Sequence, residues 1–398
     1  MKFTVIGAAG RNAPGAIRDL ADSPDVSKVI LADLERNAEV LKERAANWGN
    51  GKAEIAFIDF KKLDTLRKAI QGSVAVGNCS LFTFNLDVME ACLMEDAHYV
   101  DMGGFFHNSR KQLDLSVSAR WEEKGLTAIV GMGSAPGITN VLGRYGADLL
   151  DSVESIHLRD GIANFAIAQM ILPVPYALET LLDEFAVTAY VFEDGDWKEV
   201  APLSGGELID FPPPIGTQMA YNTLHTEVAT IPVSFRVKGI RDMSFKLALP
   251  KILDDKLRFL VAMGLASKDP IQVGNKAVIP RDVFYELVDK LPKTPPATPD
   301  DHKALRADVK GIKDGRKMEI QVDAMCHPYE PWGMATGPHS VGGPVGITCR
   351  LIGKGIITMR GSFPAEACIP PQPFFEELDK RGISTSVMIK YSPLKSTK

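Results

Sequence analysis

Two glycines three apart, Gly7 and Gly10, follow the apolar run Phe3-Thr4-Val5-Ile6, and a carboxylate, Asp33, closes the next apolar run, Val29-Ile30-Leu31-Ala32. A strand ending in small residues lets the backbone approach a pyrophosphate, and the helix behind it points free N–H groups and the positive end of its dipole at the phosphates. Asp33 falls where such a unit presents an acid to the adenosine ribose hydroxyls. The spacing therefore predicts dinucleotide contacts at Gly7, Ala9, Gly10, Arg11, Asn12 and Asp33, with Pro14 suited to the first helical turn. Ala9 stands where a second glycine is usual, and close packing of small residues is the competing explanation. The Asp33 charge repels a 2′-phosphate and makes NAD the expected cofactor, whereas Arg11 and Arg36 supply charge for NADP.

Other residues with chemical potential lie further on. Asp101 ends an apolar segment, where a carboxylate would attract a substrate ammonium or take its proton; holding the loop at Gly103 and Gly104 is the alternative. His225, in the polar run Tyr221 to Glu227, is an acid or base candidate near neutral pH. Cys79 has no accompanying base and reads as a packing residue beside the cofactor. Five scattered cysteines without a C-x-x-C pair, and histidines without ligand spacing, give no reason to expect a disulfide framework or a metal.

These residues need a frame. After the first unit the pattern alternates: strands at 53–59, 74–78, 98–101 and 126–130, with helices at 61–71, about 88–93 and 113–124. With the two opening strands this predicts an α/β fold, a Rossmann doubly wound parallel sheet, over residues 1–138. Its carboxyl edge would gather Asn78, Cys79, Gly103, Ala135 and Pro136 around one crevice with the opening turn. Residues 139–340 read as an α+β domain on a mixed or antiparallel sheet, with strands at 153–159, 187–192, 228–237 and 317–324 and proline loops at 212–214 and 292–299. Helices at 341–353 and 373–381 end the chain, and the stretch from about 340 to 385 is expected to pack on the first domain. The 398 residues, 45% hydrophobic and 24% charged, suit a soluble two-domain protein. The net charge of −5 gives no reason to expect nucleic acid or an anionic membrane as partner. With no leader-like or membrane-length apolar run, a cytoplasmic location is expected.

From Met132 to Leu142 the chain resembles the G-x-x-P-G-x-[ST]-N segment of the saccharopine dehydrogenase family. Further similarities follow in order at Tyr99-Val100-Asp101, at Ser234 to Gly239, and from Gly361 through Pro371 to Gly382. The resemblance spans nearly the whole chain. It implies an NAD(P)-dependent oxidoreductase acting on a carbon–nitrogen bond of a small amino-acid or diamine substrate, in a homodimer or larger homo-oligomer. It makes Arg236 the candidate clamp for a substrate carboxylate, with Asn140 and Lys238 as neighbouring substrate contacts. Saccharopine reductases and carboxynorspermidine dehydrogenases usually have aspartate before the Pro-Gly, where Ala135 stands here, and lysine 6-dehydrogenases tolerate alanine there. That departure favours lysine 6-dehydrogenase-like oxidative deamination over reductive condensation of the saccharopine reductase or carboxynorspermidine dehydrogenase kind. A non-enzymatic, dinucleotide-binding regulator is the remaining alternative.

Overall fold

The computed structural model describes residues 1–166, 170–292 and 298–391. Its first sheet begins with β1 (Lys2–Ile6), enters the 10-residue helix α1 (Ala13–Asp22) and returns as β2 (Lys28–Asp33). The sheet continues through β3 (Ala53–Phe57), β4 (Ala75–Asn78), β5 (His98–Asp101) and β6 (Thr127–Val130). The apolar runs at β1, β2 and β4 are buried on both faces, as parallel strands covered by helices must be.

The sequence accounts for six strands of this sheet; the structure has a seventh. β17 (Gly361–Pro364) pairs with β6, giving the order β17-β6-β5-β4-β1-β2-β3 with every neighbouring pair parallel. Four residues from the far end of the chain carry too little periodicity to announce a strand. The order reverses between β1 and β4, and a ligand crevice opens at such a point.

The second sheet is mixed. β10 (Glu207–Phe211), β11 (Gly216–Asn222), β12 (Asp242–Ala248), β7 (Ser152–Asn164), β15 (Asp301–Lys313), β16 (Arg316–Cys326) and β18 (Ser384–Tyr391) lie in that order. The hairpin β8 (Ala189–Glu193) and β9 (Asp196–Val200) branches from β12. β12 and β7 run parallel and the other pairs are antiparallel. The expected strand at 228–237 is instead the helix α9 (Glu227–Ser234) followed by a short turn at Arg236–Lys238. Val228, Ile231 and Phe235, at helical spacing, are buried. Pro232 has no N–H for the Val228 carbonyl, and the Trp197 indole N–H donates to that oxygen at 2.8 Å instead. The expected proline loop at 292–299 falls partly on 293–297, outside the described residues.

The helix α12 (Thr336–Gly353) lies against α1 at backbone contact. A Cβ on Gly15 would sit 2.1 Å from the Pro338 carbonyl, and one on Gly342 2.1 Å from that of Asn12. Beneath the contact, the buried Asp19 carboxylate accepts from Arg350 Nε at 2.8 Å and Arg381 Nε at 2.5 Å. Arg350 Nη2 also reaches Glu377 of α14 (Pro371–Asp379) at 2.5 Å. Although burial raises the Glu377 carboxyl, the hydrogen bonds and charges of Lys380, Arg350 and Arg381 bring it down to about 2. Breaking such a buried network from one side strands the opposite charges and costs about 3–5 kcal/mol. Asp19→Ala is therefore expected to lower the unfolding free energy by about that amount in denaturant titration, whereas Lys42→Ala, at the exposed Lys42–Glu39 pair, leaves the midpoint essentially in place.

Candidate active site

The crevice at the strand-order reversal is a cavity of about 780 Å³ with two chemically different walls. The wall from the first sheet is the glycine turn. Gly7 adopts φ +72°, and a Cβ there would lie 2.5 Å from the Ser80 backbone nitrogen. Gly10 N–H donates to the Gly7 carbonyl at 2.8 Å, closing the turn, and Ala9 N–H donates to Asp33 Oδ2 at 2.9 Å. Asp33 Oδ1 accepts from Leu34 N–H at 2.7 Å and Asn37 Nδ2 at 2.8 Å. Asp33 therefore holds the turn as well as lining the ribose end of the cavity, where Arg36 and Lys61 also stand. The glycine cradle at the N-terminus of α1, with a buried, unpartnered Asn12 Oδ1 beside it, fits a dinucleotide.

Gly7, Ala9, Gly10, Arg11, Asn12, Asp33, Cys79, Gly103, Ala135, Pro136 and His225 line this cavity. Arg11 does more than face it: its Nη1 donates to the Val174 carbonyl, tying the turn to a segment of the opposite wall. Burial pushes the Cys79 thiol up to about 12, so the group is a neutral packing element at neutral pH.

Five of the residues singled out in the sequence are committed elsewhere. Asp101 is buried behind the cavity and accepts from Gly103 N–H at 2.7 Å, Gly131 N–H at 2.8 Å, Tyr99 at 2.9 Å and Gln112 at 2.6 Å. It fixes two loops, while burial pushes its carboxyl upward against those donors. Asn78 cross-links Ser80, Asn85 and Tyr99 beneath the turn. Asn140 accepts from Gly137 N–H at 2.8 Å and donates to Glu366 at 2.7 Å, so it braces the Pro-Gly loop. Lys238 donates to the Ala147 and Leu150 carbonyls at the end of α7 (Ile138–Asp148). Arg236 is exposed on the turn after α9 and does not line the cavity, so the carboxylate clamp expected there is corrected. The helix in place of a strand carries it away from the sheet edge.

The second wall holds residues the sequence did not single out: Asp160 on β7, Lys303 on β15, Tyr176, and Glu184 on α8 (Leu178–Ala186). Lys303 Nζ lies 3.3 Å from Asp160 Oδ2 and donates to Ser134 Oγ at 3.0 Å. Tyr176 donates its hydroxyl to Glu184 Oε2. His225 is stacked on Phe245 with ring centroids 3.7 Å apart, and its Nδ1 pairs with Glu227 Oε2. Thr139 donates to the other Glu227 oxygen at 2.8 Å. Burial pushes the His225 imidazole down, but the charge and hydrogen bond of Glu227, joined by the charges of Glu184 and Asp160, outweigh it, and the group ends above its ordinary value. A charged side chain on the inward phase of a buried strand, as in Asp160-Gly161-Ile162 and Lys303-Ala304-Leu305, was the available signal.

A glycine-turn nucleotide wall facing a buried cluster of acids, a lysine and an acid-paired histidine defines a dinucleotide-dependent oxidoreductase. Residues 3–129 match the family model of the saccharopine dehydrogenase NADP binding domain and residues 133–383 that of its C-terminal domain. The chain belongs to the saccharopine dehydrogenase family, and its first domain is an NAD(P)-binding unit. It is 23% identical over 392 residues to the carboxyaminopropylagmatine dehydrogenase of a Synechocystis strain, covering 96% of each chain. It is also 23% identical over 369 residues to the carboxynorspermidine synthase of Vibrio alginolyticus, covering 89% of this chain and 84% of the relative. The apo saccharopine dehydrogenase (L-Glu forming) of Saccharomyces cerevisiae shares the fold, with a TM-score of 0.73 over 98% of this chain and 99% of that one at 15% identity. No helix among the described residues is long and apolar enough to cross a membrane.

The 2.5 Å approach to Ser80 leaves no room for a side chain at Gly7. Gly7→Ala is expected to weaken NADPH binding at least tenfold in a nucleotide-fluorescence titration, because the turn must shift before the Cβ fits.

Proposed function

We propose that the chain forms or opens the carbon–nitrogen bond of a secondary amine joining a carboxylate-bearing fragment to a di- or polyamine, in the reductive-condensation manner. The observation that carries this reading is the wall opposite the glycine turn, where Asp160 and Glu184 face the cavity beside Lys303 and His225. Such a wall suits an amine more than an anion. The names of the relatives from Synechocystis and Vibrio, covering most of this chain, support the same direction. Lysine 6-dehydrogenase-like deamination, expected from Ala135, accordingly gives way. The carboxylate missing before the Pro-Gly is replaced by Asp160 and Glu184 from the facing wall, so its absence does not argue against a condensing enzyme.

When bound, the nicotinamide supplies hydride to an imine carbon or takes it back. In the reductive direction His225, whose protonated form Glu227 favours, delivers a proton to the imine nitrogen as its carbon becomes sp³. Thr139 and the Phe245 ring keep Glu227 and the imidazole aligned. Lys303, oriented by Asp160 and Ser134, receives the carboxylate of the aldehyde-derived fragment. Leu247 and Met102 line the same cavity and limit water around the proton transfer.

The deciding experiment follows NADPH and NADH consumption with an amino-acid-derived aldehyde and a diamine, singly and together. Oxidation that requires both partners supports the reading; oxidation of lysine alone with NAD and release of ammonia, or no turnover with any pair, contradicts it. The pH profile tests the acid. A histidine acting as a proton donor is lost as pH rises through its raised pKa, so reductive kcat/KM falls on the alkaline side. Glu227→Gln removes the charge that raises it and is expected to move that limb to lower pH.

A further inference from the structure

Most polar atoms of the second wall have partners. Lys303 is shared between Asp160 Oδ2 and Ser134, and His225 is paired with Glu227, whose other oxygen accepts from Thr139. Tyr176 occupies Glu184 Oε2. Asp160 Oδ1, on a side chain 4% exposed, has no hydrogen-bond partner, and among the described residues the Glu184 carboxylate has one, the Tyr176 hydroxyl on Oε2. Glu184 is 3% exposed and has no cation within ion-pair distance among the described residues. Two carboxylates thus line one cavity, Asp160 with an oxygen that lacks a donor and Glu184 with Tyr176 as its one hydrogen-bond donor among the described residues.

An unmet acceptor inside a protein costs about 1–3 kcal/mol, more when charged, and water supplies a donor without supplying the charge. The missing complement is a cation rich in N–H groups. An ammonium has three donors and a guanidinium five, enough to satisfy both oxygens at once, while a carboxylate or phosphate would meet like charge. The nearby positive groups do not fill this role. Lys303 is turned to Asp160 Oδ2 and Ser134, and His225 to Glu227.

We propose that Asp160 Oδ1 and Glu184 Oε1 seat the far, cationic end of the amine substrate, an ammonium or guanidinium separated by several bonds from the reacting nitrogen. Glu184 is the specificity-determining residue of this subsite and Tyr176 its positioning residue. The inference rests on the function proposed above and adds which end of the amine the enzyme selects.

The seat is coupled to protons. Burial is the main influence on the Glu184 carboxyl and pushes it up to about 7, with Asp160 acting in the same direction and His225, Lys303 and the Tyr176 hydroxyl opposing. Near pH 7 a fraction of Glu184 is therefore protonated before an amine arrives, and a bound cation favours the ionised form. Binding then releases a proton, and affinity weakens as pH falls below about 7.

The test is calorimetric titration of the NADP-saturated enzyme with 1,4-diaminobutane and with 1-aminobutane, a probe of the same chain length lacking the second cation. Each titration is run near pH 7 in two buffers of different ionisation enthalpy. The expected result is at least about tenfold tighter binding of the diamine, with proton release. Glu184→Gln is expected to abolish both the preference and the release, and Glu184→Asp to retain part of the preference. Unchanged NADPH affinity in the Gln variant, read by nucleotide fluorescence, confirms that the fold is intact. Equal affinity for the two probes in the unmodified enzyme, or a preference that survives Glu184→Gln, overturns the inference. Because no turnover is measured, its failure is separable from that of the proposed reaction.

Discussion

The structure depends first on a backbone contact that no side chain can enter. At Gly15 and Gly342 the helices α1 and α12 approach until a single added carbon would overlap a carbonyl oxygen. That closeness places Asp19 between Arg350 and Arg381, and through Arg350 it reaches Glu377 on α14. The helix that aims its N-terminus at the cofactor is therefore held by the last hundred residues of the chain. Its dipole is aimed by packing and charge that have nothing to do with the nucleotide. A nucleotide-binding turn is only as well placed as the helix behind it, and here that helix is clamped from outside its own βαβ unit.

The cleft itself is organised around the difficulty of keeping charge dry. On the nucleotide wall the Asp33 carboxylate is satisfied by the turn it stabilises. On the other wall Glu227 is satisfied by Thr139 and His225, and Asp101 by four donors behind the surface. Asp160 Oδ1, which faces the cavity, is left without a donor. In a water-poor site the same low polarity that strengthens a correct pairing penalises a missing one. Recognition of an amine and control of its proton then become two aspects of one buried electrostatic arrangement.

The nucleotide wall was legible in the sequence because its chemistry is local: Gly7, Gly10 and Asp33 are read from strand, turn and strand in one stretch. The alternation through β6 was legible for the same reason. The facing wall was not, because Asp160, Glu184 and Lys303 are assembled from β7, α8 and β15, which no short motif spans. His225 was picked out by its polar neighbours, though its partner Glu227 and the ring of Phe245 become visible only when α9 and β12 are in place. Arg236 shows the reverse failure. Its motif suggested a ligand, but Val228, Ile231 and Phe235 drive that stretch into a helix, and the guanidinium leaves the cleft. Asp101 shows a third case, a carboxylate at the right edge of the sheet whose hydrogen-bonding capacity is consumed by loops.

The chain crosses between the two sheets three times. The chain passes from the first sheet to the second after β6, returns after β16 to form α12 and β17, and leaves again through α14 to β18. Two bodies joined by one strand of chain can swivel in any direction, but repeated passage restrains twisting and lateral slip. Three passages oppose both between the two walls of the cleft. The Arg11 side chain, reaching across to the Val174 carbonyl, adds a tie between those walls that involves no covalent passage of the chain.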